Sequence, residues 1–459
     1  MFGAARRFAP VSAAVAAARL ASPGCAEERP MKPELAEVPH ISEWCKHLKP
    51  IVNPMVARGQ LPEVVSVSPP EMILRDIVRV DGAPGKFRAL RRGGAAQLVM
   101  WEPDEVRAAI VTCGGLSPGL NNVIRGLVNT LSQYGVTRVF GIPFGYKGIY
   151  GADYRPLTPQ NVSLIHHEGG TTLGASRGGF DQDKIMDALE ARGINQLYVV
   201  GGDGTHRGAY KLHQEAQRRG LKISVIGIPK TVDNDIGLID RSFGFKTCIE
   251  EATKVIECAR VEASSAPNGV CVVKLMGRDS GFIATHATLA ARDVDLCLVP
   301  EVPIVTEGPK SIFRHLRSVV NRNSSAVVVV AEGAGQDLLG AGDGADESGN
   351  KRYKDIGKWL KDAITKDFKA HGLEANVRYI DPSYIIRSVA ANADDSEYCI
   401  LLAQTAVHGA MAGFSGFSAG LVNNRSVMIP MTLIGESSPR KLRLGRRWGR
   451  IADTTGQPL

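Results

Sequence analysis

The sequence predicts an α/β protein: two doubly wound, three-layer units with mainly parallel sheets, preceded by an N-terminal extension. Three observations carry this. From residue 105 onward, apolar runs of strand length alternate with stretches whose apolar residues recur at helical spacing. Such alternation requires right-handed crossovers and parallel pairing, and the series is too long for one sheet. A Gly-rich or acidic cluster follows strand after strand, at the end where open α/β sheets hold ligands. Finally, 459 residues, 44% hydrophobic and 22% charged, supply two or three cores and exclude a mostly disordered chain.

Taken in order, residues 31–104 are interrupted by Pro and show little periodicity, and read as an extension that wraps the body. VRAAIVTC (106–113) is a buried strand, followed by a Gly/Pro loop and a helix through NNVIRGLVNTLSQYG. Strands follow at 137–144, 195–202 and 222–229, with helices at 183–193 and 207–220 between them. A long helix spans about 246–264. Strands at 270–276, 296–302 and 326–333 then alternate with helices FIATHATLAAR and SIFRHLRSVVNRN. An acidic, Gly-rich loop (337–352), a helix before VRYIDPSYIIRS and a final helix at about 394–412 complete the series.

The formal charge is +8, with +2 in residues 1–30 and +4 in 435–459. A nucleic-acid binder carries its basic stripe on the folded body. The excess at 431–459 therefore reads as a basic, solvated tail, and no nucleic-acid partner is expected. No apolar run reaches the roughly 18 residues of a membrane span, so no membrane is expected either. The eight cysteines (25, 45, 113, 248, 258, 271, 297, 399) lack CxxC spacing and read as reduced, buried thiols. Residues 1–30, rich in Arg and Ala with no acid before Glu27, fit a mitochondrial or plastid transit peptide. A secretory signal fits less well, because Arg19 interrupts the apolar stretch. An untargeted, disordered leader on a cytoplasmic protein remains the alternative.

Six loops carry the chemistry. Gly114–Gly119 (GGLSPG) lets backbone approach a phosphate at a helix start, or is a tight structural turn. Gly201–Thr205 (GGDGT) places one Asp among three Gly, more Gly than a helix cap needs. Asp203 is the candidate Mg²⁺ ligand. Pro229–Asp235 (PKTVDND) sets two carboxylates around an Asn beside Thr231 and Lys230, and one carboxylate suits a general base. Met276–Gly281 (MGRDSG) offers Arg278 to phosphoryl charge. Glu332, in AEGAG, either accepts sugar hydroxyls or caps the next segment. Tyr384–Arg387 (YIIR), with Arg378 upstream, either grips a phosphate or is a solvated face.

GGLSPGLN, SRGGFD, INQLYVVGGDGT, PKTVDND, VVKLMGRDSGF, TLAARDVDLCLVPE, AEGAG, YIDPSYIIR and LLAQTAVHGAMAGFSG occur in this order over about 85–459. As a set they resemble the phosphofructokinase family, in its plant-like ATP-dependent branch. The resemblance implies an ATP-binding domain from 105–244 plus about 391–430, and a sugar-phosphate-binding domain from 245–390. Gly115, Arg177, Gly178, Gly202, Asp203, Gly204 and Thr205 would surround ATP, with Mg²⁺ on Asp203. Thr231, Val232 and Asp233 would meet fructose 6-phosphate, with Asp233 taking the proton of its 1-hydroxyl. Met276, Gly277, Arg278, Glu332, Tyr384, Ile385, Ile386 and Arg387 would bind the sugar phosphate, partly across a subunit boundary in a homo-oligomer. Arg278 and Thr231 join Asp233 as catalytic candidates. The residue reading agrees: a metal-nucleotide cradle, a base and a cationic clamp suit phosphoryl transfer.

Two positions bear on the donor. Gly204 leaves space for the α-phosphate and ribose of ATP, whereas Lys230 accompanies pyrophosphate use elsewhere in the family. A pyrophosphate-dependent enzyme is thus the nearest rival, and a catalytically weak regulatory subunit another. The sequence departs from the family pattern at Lys246, where GFDT reads GFKT, and at His206, where Gln is expected. A dinucleotide dehydrogenase is disfavoured, since no GxGxxG follows the first strand.

Overall fold

The computed structural model describes residues 34–62, 66–68, 71–75, 88–340, 344 and 353–458. The leader at 1–30, Cys25 and most of the acidic loop at 337–352 lie outside the described residues. Five parallel strands form the heart of a ten-stranded sheet. With β1 at Arg88–Arg92, they are β2 (Arg107–Thr112), β3 (Arg138–Ile142), β4 (Gln196–Gly201), β5 (Ser224–Pro229) and, later in the chain, β10 (Phe417–Val422). Their order is β10-β5-β4-β2-β3. The second sheet is wholly parallel: β6 (Gly269–Leu275), β7 (Leu296–Leu298), β8 (Ser325–Ala331) and β9 (Asn376–Ile380), in the order β7-β8-β6-β9.

The composition of these strands explains their places. QLYVVG in β4 and SAVVVVA in β8 are buried throughout, as strands covered on both faces must be. Each Val of β8 contributes about 1.5–3 kcal/mol by burial. Helices cover both sheets: α1 (Leu120–Tyr134), α2 (Gln182–Ala191), α3 (Asp203–Arg218), α4 (Phe245–Ser264), α5 (Phe282–Ala291), α6 (Ile312–Asn323), α7 (Ile356–Ala370) and α8 (Ala393–Met411). Helix α1 follows Gly119, whose φ of +97° and 2.6 Å approach of a would-be Cβ to Cys399 Sγ leave room for Gly alone.

Three features differ from the sequence reading. Parts of the extension add strands to the first sheet: β1 pairs with Met72–Leu74, with Glu34–Ala36 and with β11 (Arg425–Pro430), itself antiparallel to β10. The alternation in 417–430 is short and interrupted by a turn, so its strands went unread. Residues 431–458 are not a solvated tail. They form α9 (Met431–Ser437) and α10 (Arg446–Thr455), and α10 buries Trp448 and Ile451 in the core beneath β6 and β8. The Gln457 amide then mimics a strand neighbour, accepting from Cys297 N–H at 2.7 Å and donating to its carbonyl at 3.1 Å. The Arg residues hide this: their apolar partners are only two side chains, spaced for one helix face. Among the described cysteines, all seven are free and six are buried, while Cys258 is exposed. Among the described residues no helix is long and apolar enough to cross a membrane.

Candidate active site

In both sheets the strand order reverses beside the earliest strand of the central parallel series, β2 in one and β6 in the other, and the carboxyl ends there open into one cleft of about 820 Å³. Gly114–Leu116 after β2, Gly202–Thr205 after β4 and Lys230–Asp235 after β5 line it from the first unit. Met276, Arg278 and Asp279 after β6, Glu332 after β8 and Asp381, Ser383, Tyr384 and Arg387 after β9 line it from the second.

Of the GGDGT segment, Gly201 ends β4, Gly202 is the N-cap of α3, and Asp203–Thr205 lie in its first turn. Asp203 thus sits where free N–H groups and the helix dipole gather. Burial, the Asp235 charge and, more weakly, Asp279 still push its carboxyl up to about 6, against Arg207. Its Oδ1 is buried without a hydrogen-bond partner. At Gly204 a Cβ would meet only Arg207 Nη2, at 3.8 Å. His206, the departure from Gln, is fully buried. Its ring joins the Gly202 carbonyl at 3.1 Å to Ser418 Oγ at 2.8 Å, and burial pushes it down to about 4, so it is a neutral tether.

After β5, Lys230 is buried and donates from Nζ to the Gly115 carbonyl at 2.7 Å. Burial pushes it down to about 8. Thr231 Oγ1 donates to Asp235 Oδ1 at 2.8 Å and accepts from Asp233 N–H at 3.3 Å. Asn234 takes φ +58°, a left-handed kink that Asn tolerates, and its Oδ1 accepts from Ser242 N–H at 2.9 Å. Burial first, then mutual repulsion, push Asp233 and Asp235 up; Glu332 adds to the pressure on Asp233. Across the cleft, burial raises Glu332 while Lys274 and Arg278 oppose it. Arg387 lies over the Tyr384 ring at 4.9 Å and reaches back toward Gly115, where a Cβ would stand 3.5 Å from its Nη1.

The cleft gathers Gly115, Arg177, Gly178, Gly202, Asp203, Gly204, Thr205, Lys230, Thr231, Val232, Asp233, Met276, Arg278, Glu332, Tyr384 and Arg387. Three expected ligand residues are elsewhere. Ile386 is fully buried in the second core, and Ile385 is exposed beside the cleft. Gly277 is a backbone device: at φ +131°, a Cβ would strike the Ser280 carbonyl at 2.5 Å. Arg378 is engaged by Glu262 and is not among the lining residues. Lys246, exposed on the first turn of α4, also lies outside the lining.

Sequence reasoning missed Arg207, Lys274 and Asp381. Lys274 left a signal, a lone cation in the apolar run VCVVKLM; it pairs with Asp381 at 2.7 Å. Ser438 and Pro439 also line the cleft and left no signal, lying in the segment read as a tail. A smaller side pocket adds Gly169–Thr171 and Gly174–Ala175, a Gly-rich stretch passed over in the sequence.

This is a two-sheet α/β protein with one anion-suited cleft between facing strand ends. The chain belongs to the phosphofructokinase family, whose family profile, described as phosphofructokinase, matches residues 107–410. It is 48% identical over 434 residues to ATP-dependent 6-phosphofructokinase 7 of Arabidopsis thaliana, covering 92% of this chain and 88% of that protein. It is 46% identical over 433 residues to the chloroplastic ATP-dependent 6-phosphofructokinase 4 of the same plant, covering 92% and 81%. Pyrophosphate-dependent phosphofructokinase from Marinobacter aquaeolei shares the fold, with a TM-score of 0.63 at 21% identity over 76% of this chain and 91% of that one.

Proposed function

We propose that the chain transfers the γ-phosphoryl group of ATP to the 1-hydroxyl of fructose 6-phosphate, giving fructose 1,6-bisphosphate and ADP in glycolysis. The observation that carries this reading is the pairing in one cleft of a buried two-carboxylate loop with cations from the opposite sheet. Asp233 is the general base. Its raised affinity for protons suits it to accept one from the sugar hydroxyl near neutral pH. Thr231 orients the loop through Asp235. Arg278 neutralises charge on the transferring group, and Arg387 with Tyr384 holds the sugar phosphate. Gly115, Arg177 and the α3 amino end receive the nucleotide phosphates.

Asp203 fits Mg²⁺. Its Oδ1 is buried and unpartnered, and glycines on both sides leave room for phosphate oxygens. Among the described residues no cluster of three His, Cys, Asp or Glu could hold a metal ion alone, which accords with an ion that takes one or two carboxylates plus substrate phosphates. When bound, the ion neutralises charge on the β- and γ-phosphates.

ATP is favoured over pyrophosphate because Gly204 faces open space, whereas Lys230 already spends a hydrogen bond on Gly115. The test is turnover of purified protein with fructose 6-phosphate and Mg²⁺, offered ATP and then pyrophosphate. ATP should be used and pyrophosphate nearly refused. Gly204→Asp, which the protein itself can accommodate, should cut ATP turnover by about 100-fold through like-charge repulsion. Robust wild-type use of pyrophosphate, or full ATP activity in Gly204→Asp, overturns the donor assignment. Exposed Tyr384 and Ile385 at the cleft rim support a homo-oligomer whose second copy completes the site. The leader's composition and the chloroplastic relative support an organellar address, plastid before mitochondrion. A full-length fluorescent fusion that stays diffuse would exclude it.

A further inference from the structure

Ser438 and Arg440 grip the paired-carboxylate loop and the residues just after it. Arg440 makes four donations to it: from its backbone N–H to the Asp235 carbonyl at 2.6 Å, from Nε to Asn234 O at 2.9 Å, from Nη1 to Ile239 O at 2.9 Å, and from Nη2 to Asp240 O at 3.3 Å. Its guanidinium also lies over the Phe282 ring at 5.0 Å, and Phe282 opens α5 just beyond Arg278. One side chain therefore touches both units. The fit is as close from the loop side. Gly237 N–H donates to Ser438 Oγ at 3.1 Å, and a Cβ on Gly237 would stand 2.1 Å from the Ser437 carbonyl oxygen.

The loop needs such holding. Asn234 and Leu238 have φ of +58° and +74°, so no regular ladder runs through it, and its carbonyls must find donors elsewhere. A planar guanidinium holds its donors in a rigid, spread fork that reaches three carbonyls along a loop, whereas an ammonium's donors all radiate from one nitrogen. Arg440 itself is not among the residues lining the cleft, so it acts through the loop.

We infer that Arg440 is a positioning residue for phosphoryl transfer: it fixes the backbone of residues 234–240 and thereby aims Asp233 and Asp235 into the cleft. The inference rests on the reading of the site proposed above and deepens it. The test is steady-state kinetics and thermal melting of the full chain carrying Arg440→Ala, Arg440→Lys or Gly237→Ala, with exposed Arg443→Ala as control. A 1 Å misplacement costs on the order of 100-fold in rate, so kcat of Arg440→Ala should fall about 10- to 100-fold. KM for either substrate should move less than about threefold, since the ligand contacts remain. Arg440→Lys should recover part of kcat. Gly237→Ala should reproduce the kcat loss with Arg440 intact, and Arg443→Ala should match wild type. A loss confined to KM, an unchanged Arg440→Ala, or a fully active Gly237→Ala overturns the inference. If Arg440→Ala does not fold, Arg440→Lys and Gly237→Ala decide by the same criteria. Absence of wild-type turnover sinks the proposed function and this inference together; normal wild-type turnover with an unchanged Arg440→Ala sinks this inference alone.

Discussion

The two walls of the cleft treat Asp233 and Asp381, the carboxylates at their strand ends, in opposite ways. On the first unit, burial pushes Asp203, Asp233 and Asp235 up, Asp235 repels the other two, and Asp279 from across the cleft repels all three. On the second, burial works against Asp381 too, but Lys274 at 2.7 Å and the Ser383 hydroxyl at 2.6 Å more than offset it and hold the carboxylate low. The first wall is left electrostatically unfinished, whereas the second is self-neutralised at Asp381 though not at Glu332, which burial still raises. The difference separates groups kept for chemistry from groups kept for architecture. An unpaired buried carboxylate costs stability in the ligand-free protein and repays it only when a proton or cation arrives.

The largest effect belongs to the unfinished wall. Asp233→Asn keeps the shape of the loop and removes the carboxylate proposed as the proton acceptor. General-base catalysis contributes about 10²- to 10⁴-fold, and kcat should fall by that order. Binding of fructose 6-phosphate, followed by calorimetry, should be nearly unchanged. A variant with near-normal kcat removes Asp233 from the chemistry and erases the distinction between the walls.

A smaller effect tests the cost of leaving that wall unfinished. The folded-state value of Asp203, about 6, lies above its ordinary 3.8, so folding takes up a proton between the two. The favourable contribution is complete below about pH 4 and is lost as pH rises through 6. Above that, the buried charge is a penalty that Asn does not carry. Asp203→Asn should therefore stabilise the ligand-free protein near pH 8 by on the order of 2 kcal/mol, after discounting for partial exposure. The advantage should shrink toward pH 4.5 in paired thermal melts, while the same variant loses turnover. A stability gap that ignores pH breaks the argument.

How much of this was legible in sequence follows from the range of the interactions. Both parallel cores were readable, because apolar runs such as VVVV at 327–330 and helical spacing at 246–264 are local signals. The motif loops were readable because glycine and carboxylate clusters mark strand ends. What escaped depends on distant partners. Arg440 looks like any tail arginine until the fold brings it to Asn234, 206 positions away. Lys274 looks like an interruption in a strand until Asp381 meets it. Ile386 shows the limit of a motif read as a block: the resemblance groups it with Tyr384 and Arg387, while its side chain packs into the core.

The smallest effect falls on a residue that sequence alone could not separate from the site. Arg378 lies on β9, nine residues before Arg387, and either arginine could have gripped a phosphate. In the fold they part company: Arg387 faces the cleft, while Arg378 reaches Glu262 on α4, donating also to its backbone carbonyl at 3.3 Å. Both members of that pair are partly solvated, so the attraction is screened and offset by side-chain ordering. Arg378→Ala should cost about 0–1 kcal/mol in denaturant titrations and leave kcat and both KM values at wild-type levels. Arg387→Ala in the same assay should raise KM for fructose 6-phosphate steeply, because the proposed clamp would lose a charge-assisted contact to phosphate. If instead Arg378→Ala raises that KM, the self-neutralised wall extends beyond the cleft lining, and charge on its outer strand must be counted as part of the substrate clamp.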